Sequence, residues 1–192
     1  HDGTSGVNNA TVNVTGAGTG NDLTDTNGDF LVALPYATGN FTIKPVKNIN
    51  RLNGVTVADA VAIQQHVTNI NPITNPYTMI AADINRSNSV STIDATLINQ
   101  CLLGNPAANN TFSVFWRFAP QSWTPVLPPW GFPEKIDLTG VTVSQSGLDF
   151  YGVKIGDVVN DDANPANFGA GPDPLVLRTN DRLLEAGYRK IL

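Results

Sequence analysis

Apolar residues recur at spacings of three and four in two stretches, Ala60, Ile63, Val67 and Ile70, then Ala95, Ile98 and Leu102. That period places each set on one stripe of a helix. Gly104 with Pro106 beyond it supplies a stop for the second. Nearer the start the period is two: residues 11–15 alternate around Val12 and Val14, 30–34 form an apolar run after a turn, and 41–43 close the set. These predict strands. Asp25-Thr26-Asn27-Gly28-Asp29 separates two of them. It carries carboxylates at the first and fifth places of a would-be ion loop. None follows at the twelfth, however, and Asn-Gly before an aromatic run is the strongest short hairpin signal. Past Gly104 the texture turns aromatic and proline-rich. S-V-F-W-R-F and D-F-Y-G-V-K-I-G-D-V predict strands, and W-T-P-V-L-P-P-W-G-F-P predicts a loop that its prolines hold extended. Residues 160–174 have the composition of a linker, and 175–178 and 187–192 read as strand starts.

The two helical patterns belong to a repeat. Shifting the chain by 35 residues lays 48–69 over 83–104 with nine of 22 positions identical. These are Ile49/Ile84, Asn50/Asn85, Arg51/Arg86, Asn53/Asn88, Val55/Val90, Asp59/Asp94, Ala60/Ala95, Ile63/Ile98 and Gln65/Gln100. Each copy is a loop that runs straight into its helix. Pro72, Pro76 and their asparagine neighbours mark the connection between copies, and no helix is predicted to enter either loop.

The second loop, 83–94, places oxygen-bearing side chains at its first, third, fifth and twelfth positions: Asp83, Asn85, Ser87 and Asp94. This is the spacing at which twelve residues fold around a hard cation, with a carbonyl at the seventh place, here that of Ser89. Calcium takes six to eight oxygens and needs no His or Cys. Asn88 stands at the sixth position, where Gly is usual, and Asn tolerates the left-handed backbone the turn requires. The competing reading is structural, since Asp, Asn and Ser also cluster in Asx turns and helix N-caps. The first loop is poorer in donors. Its corresponding residues are Asn48, Asn50, Leu52, Gly54 and Asp59, of which Asp59 is the sole carboxylate and Leu52 offers only a carbonyl. Lower ligand charge implies lower affinity there.

A loop-helix pair of this kind resembles the type I dockerin family, whose EF-hand-like half-motifs use positions one, three, five, seven and twelve. The resemblance implies calcium ligands at Asp83, Asn85, Ser87, Ser89 through its carbonyl, and Asp94, with the degenerate first set beside them. The stretches G-V-N-N-A-T-V-N-V-T-G, T-D-T-N-G-D-F and G-N-F-T-I-K-P resemble the prealbumin-like or carboxypeptidase-regulatory-like sandwich of secreted bacterial proteins. In that family a further strand precedes the first one here, which implies a chain that begins inside a larger protein. W-R-F-A-P and D-F-Y-G-V-K-I-G-D-V look like the tail that accompanies dockerin-like repeats in large secreted or surface proteins. The implied fold class is α+β, a small antiparallel β-sandwich followed by a two-helix dockerin-like calcium-loop unit packed with additional β-strands. Expected boundaries are 1–46 for the sandwich, 47–159 for the repeat pair with its aromatic tail, 160–174 for a linker and 175–192 for a further β module or donor strand.

Composition narrows the function. Of 192 residues, 41% are hydrophobic and only 14% charged, which suits one large or two small globular domains. A net charge of -5 with no basic cluster speaks against a nucleic-acid partner and suits a chain that holds divalent cations. No run approaches eighteen apolar residues, so no membrane span is expected, and the polar first residues do not read as a signal peptide. Cys101 and His66, at matching repeat positions, read as packing residues because no partner motif accompanies either. With two His, one Cys and no Gly-framed nucleophile, the residues offer no catalytic constellation.

The leading expectation is therefore a non-catalytic, calcium-stabilised structural or docking module of a secreted or cell-surface protein. Its partners would be neighbouring modules, a cohesin-like or neighbouring surface subunit, or glycans. The alternative is a carbohydrate-binding module using Trp123 and Trp130 of the aromatic loop, although such rings also serve to cover a helix pair too small to bury its own core. A missing initial strand and an extra terminal one also fit strand donation from copy to copy.

Overall fold

Val12 and Val14 turn to the same side of strand β1 (Thr11–Gly16) and are buried there, as the alternation requires. The computed structural model describes residues 6–34, 38–159 and 175–177. Strand β1 lies between β2 (Gly20–Leu23) and β3 (Gly39–Val46), antiparallel to both. On β3 the buried set is Phe41, Ile43 and Pro45, opposite the exposed Lys44 and Val46. Thr24 ties down the start of the chain, its hydroxyl donating to the Val7 carbonyl and accepting from the Ala10 N–H at 2.9 Å.

The turn at 25–29 forms as expected: the Asp25 carboxylate accepts from the N–H groups of Asn27 and Asp29, and Gly28 takes a positive φ of 83°. The strand expected after it does not form. Phe30 and Val32 are buried, but the Leu31 N–H donates to the Asp22 side chain at 2.6 Å instead of to a strand carbonyl. The apolar run found its core without a ladder, because a side chain supplied the acceptor that a backbone would have offered.

Two capping boxes start the predicted helices. Thr56 caps α1 (Val57–Val67) with Asp59 reaching back, and Ser91 caps α3 (Thr92–Leu102) with Asp94 reaching back. The helices pack together, with Ala60, Ile63, Ala95, Ile98 and Cys101 buried. Two further helices appear. Asn75 caps α2 (Pro76–Ala82) and Asn105 caps α4 (Pro106–Thr111), each accepting from two backbone N–H groups, with proline at the first helical position. The second loop is thus entered by a helix, contrary to the loop-helix expectation. Asn-Pro reads as a break, yet the same pair is a good helix start, because proline's missing N–H is one the first turn leaves unbonded anyway.

The remaining strands are β4 (Trp116–Pro120), β5 (Ile136–Val141), β6 (Phe150–Lys154) and β7 (Leu175–Leu177). They are shared between two antiparallel sheets of order β2-β1-β3-β5 and β4-β6-β7. The coarse α+β expectation holds, with four helices and two sheets among the described residues. The expected boundary at 46/47 is crossed by the ladder of β5 on β3, where Phe41 faces Leu138 and Ile43 faces Ile136. Buried side chains of sheet, helices and aromatic tail form one continuous core. Of the 175–192 segment only β7 lies within the described residues, where it pairs with β6.

Candidate metal centre

Helix α2 ends at Asp83, and the next five residues wrap around that carboxylate. One Asp83 oxygen accepts from the Ser87 N–H at 2.8 Å, and the other accepts from the Asn88 N–H at 3.0 Å. Wrapping so tightly demands left-handed backbone at Arg86 (φ 58°) and Asn88 (φ 60°), the latter at the position where the sequence predicted it. The turn gathers its oxygens. Ser87 Oγ lies 3.5 Å from Asp83 Oδ1, 3.2 Å from the Ser89 carbonyl and 2.9 Å from Ser89 Oγ, while Asn85 Oδ1 accepts from the Ser87 N–H at 2.9 Å. Oxygens on a calcium shell stand about 3–3.5 Å from their neighbours, given bond lengths of about 2.4 Å. The oxygens of Asp83, Ser87 and the Ser89 carbonyl therefore stand at separations that a hard cation accepts, while Asn85 Oδ1 is turned to the Ser87 N–H.

Asp94 closes the loop from the far side. One of its oxygens accepts from the Ile84 N–H at 2.9 Å and the Asn85 N–H at 3.4 Å, and the other from the Ser91 N–H and hydroxyl at 2.9 and 3.0 Å. The 3.4 Å contact is the weak one and the first that a stronger partner would displace. Asp83 and Asp94 are both fully buried. Burial pushes the Asp83 carboxyl above its ordinary value. The Ser87 and Asn88 N–H groups oppose this, the charge of Asp94 adds to it, and Arg117 opposes it. Arg117 is itself committed to Glu134 and lies over the Phe132 ring at 4.3 Å. Among the described residues no three His, Cys, Asp or Glu side chains gather as a metal-holding group. The loop's donors are two carboxylates and neutral oxygens, as suits a calcium or magnesium ion rather than zinc.

The first loop is arranged otherwise. Its left-handed residues are Asn50 (φ 55°) and Gly54 (φ 67°), at the third and seventh positions rather than the fourth and sixth. Asn48 turns outward, its Nδ2 donating to the Ser113 carbonyl at 2.7 Å and its Oδ1 accepting from the Phe115 N–H at 2.9 Å. Arg51 donates to the Phe112 carbonyl at 2.9 Å and lies over the Phe115 ring, while Leu52 is exposed. Asp59, fully buried, accepts from the Thr56 N–H and hydroxyl on one oxygen and from the N–H groups of Val158 (2.6 Å) and Val159 (2.9 Å) on the other. Burial raises its carboxyl above the usual range despite those bonds.

The sequence reading missed the group that links the loops. The end of β6 at Lys154 and the residues after it, to 159, run between them. The fully buried Lys154 donates to the Arg51 carbonyl and to that of Ile155, each at 2.8 Å, and its ammonium lies 5.6 Å from the Phe112 ring centre. The Gly156 N–H donates to the Ala81 carbonyl at 2.9 Å, near the end of α2. A single lysine inside the apolar run F-Y-G-V-K-I-G was the available signal, since lysine is almost never fully buried without partners.

The aromatic residues mostly face one another. Tyr77 of α2 meets Trp123 edge-on at 5.9 Å and Tyr151 of β6 at 5.4 Å, and Trp123 packs on Phe132 at 5.5 Å. Trp130 is half-buried. His66 accepts the Ile73 N–H at 3.0 Å, and Cys101 is buried in the core. No helix of the described residues is long and apolar enough to cross a membrane. No family model, curated protein or solved structure matches the chain.

Proposed function

We propose that this chain is a non-catalytic, calcium-stabilised structural module of a secreted or surface multidomain protein, built as a sandwich-like sheet joined to a dockerin-like loop-helix pair. The observation that carries the reading is the oxygen cup of the second loop, flanked by two buried carboxylates, Asp83 and Asp94, with burial first and the charge of Asp94 after it raising the cost of ionising Asp83. A dication would be held there by Asp83, Asn85, Ser87 and the Ser89 carbonyl, with Asp94 completing the set. It would supply positive charge beside Asp83, whose carboxyl is held above its ordinary value by burial.

The chain's own residues do the rest. Asp94 joins the loop's second and third residues to the first turn of α3, so order in the loop is transmitted to the helix. A cup with only two carboxylates suits the millimolar calcium found outside cells, which supports an extracellular place for the module. Its partners are then neighbouring modules or a cohesin-like subunit. Trp123 spends its ring against Tyr77 and Phe132, which supports a covering role over a glycan-stacking one.

Thermal melts in millimolar calcium and in excess chelator test the proposal. The melting temperature falls in chelator, and Asp83→Asn abolishes the difference. An unchanged melt removes calcium from the account.

A further inference from the structure

The first loop has the repeat's sequence but points its two end residues away from its own interior. Asn48, at position one, bridges the backbone at Ser113 and Phe115. Asp59, at position twelve, receives four donors, two of them the backbone N–H groups of Val158 and Val159, one hundred residues downstream. Asp94 also receives four donors, but all come from its own loop and the loosest stands at 3.4 Å, whereas one oxygen of Asp59 is taken by two short bonds, 2.6 and 2.9 Å, from outside its loop. A positive charge is already in place: the Lys154 ammonium rests on the Arg51 carbonyl within this loop. A dication enclosed by the same twelve residues would be set beside that buried lysine, and like charges repel.

We infer that the first loop is a metal-free clamp on the chain's own backbone, gripping residues 113–115 with Asn48 and residues 158–159 with Asp59, with Lys154 as its built-in cation. The module accordingly takes up one divalent ion, not two. The count of one rests on the calcium reading of the second loop, whereas the clamp does not.

Native mass spectrometry of the full chain, stripped with chelator and resupplied with calcium, gives the count, and melts with and without calcium test the clamp. The expected result is one ion for the wild type, none for Asp83→Asn and one for Asp59→Asn. The last variant should melt roughly 10 °C lower by the same margin in calcium and in chelator. Should Asp59→Asn fail to fold, Asn48→Ala reads the same quantities at the exposed end of the loop, keeping one ion with a smaller calcium-independent drop. Two ions in the wild type, or loss of an ion from either first-loop variant, overturns the inference and leaves the calcium reading standing. No ion in the wild type overturns the calcium reading instead, and the chelated melt then decides the clamp: a lowered Asp59→Asn melt upholds it, an unchanged one sinks it.

Discussion

Two loops of common pattern direct their end residues differently, and the difference turns on a few atoms. In the second loop Asp83 can only accept, and it draws the N–H groups of Ser87 and Asn88 inward. In the first loop Asn48 has an N–H₂ where Asp83 has an oxygen, so it can donate to one backbone group and accept from another at once. Such a side chain is suited to bridging a neighbouring stretch of backbone and poorly suited to lining a cation cup. Leu52 for Ser87 removes a further inward oxygen, and Gly54 for Ser89 shifts the left-handed turn along the loop. The twelfth residue is Asp in both, and both close a capping box with one oxygen. With the other oxygen Asp94 holds its own loop, whereas Asp59 holds residues 158–159.

The largest effect that would break this comparison is at Asp59. Asp59→Asn leaves part of a four-donor cluster buried without its acceptor and should cost about 4 kcal/mol, measured by chemical denaturation, with no dependence on calcium. A cost that vanishes in chelator would make the two loops alike. Withdrawing calcium should cost about 3 kcal/mol if the ion is present at roughly a hundred times its dissociation constant, and Asp83→Asn should remove that term.

Gly156→Ala comes next. Its backbone has φ of 91°, and an added Cβ would stand 2.9 Å from Val55 of the first loop and 3.2 Å from Phe112. A loss of about 2 kcal/mol is expected, equal with and without calcium, because Gly156 packs on Val55 of the first loop. Asn48→Asp sharpens the one-atom argument: by surrendering the donor to Ser113 it should cost about 1 kcal/mol and add no second ion, read by denaturation and by metal titration.

The smallest effect is on pH dependence. The folded Asp59 carboxyl lies above its ordinary value, so the native state binds that proton more readily than the unfolded chain does. Its contribution to stability is therefore present at low pH and is lost as pH rises from the ordinary carboxylate range through the raised folded value. In chelator, the deficit of Asp59→Asn should widen as pH falls through that window and level off below it. A deficit that shrinks toward acid would show that the bonds to Val158 and Val159 outweigh burial.

Much of this was legible from local pattern. Both helices and the sixth-position turn at Asn88 follow from short-range spacings, where backbone geometry alone decides which groups meet. The helix before the second loop was not, because Asn75-Pro76 carries the same letters whether it breaks a helix or begins one. Nor was the absence of a ladder at 30–34, where Asp22 satisfies the Leu31 N–H nine residues away.

By itself the sequence determined the repeat, its oxygen donors and the difference in charge between its halves, since these depend on residue identity and short-range geometry. Which loop faces inward was decided only in the tertiary structure. Ser113, Phe115, Lys154 and Val158 lie far along the chain from Asn48 and Asp59, and only tertiary packing, including that of β6 against α2, brings the Ser113, Phe115 and Val158 backbone groups and the Lys154 ammonium within hydrogen-bond reach of the first loop. A buried acceptor must be filled, and what stands nearest in space rather than in sequence fills it.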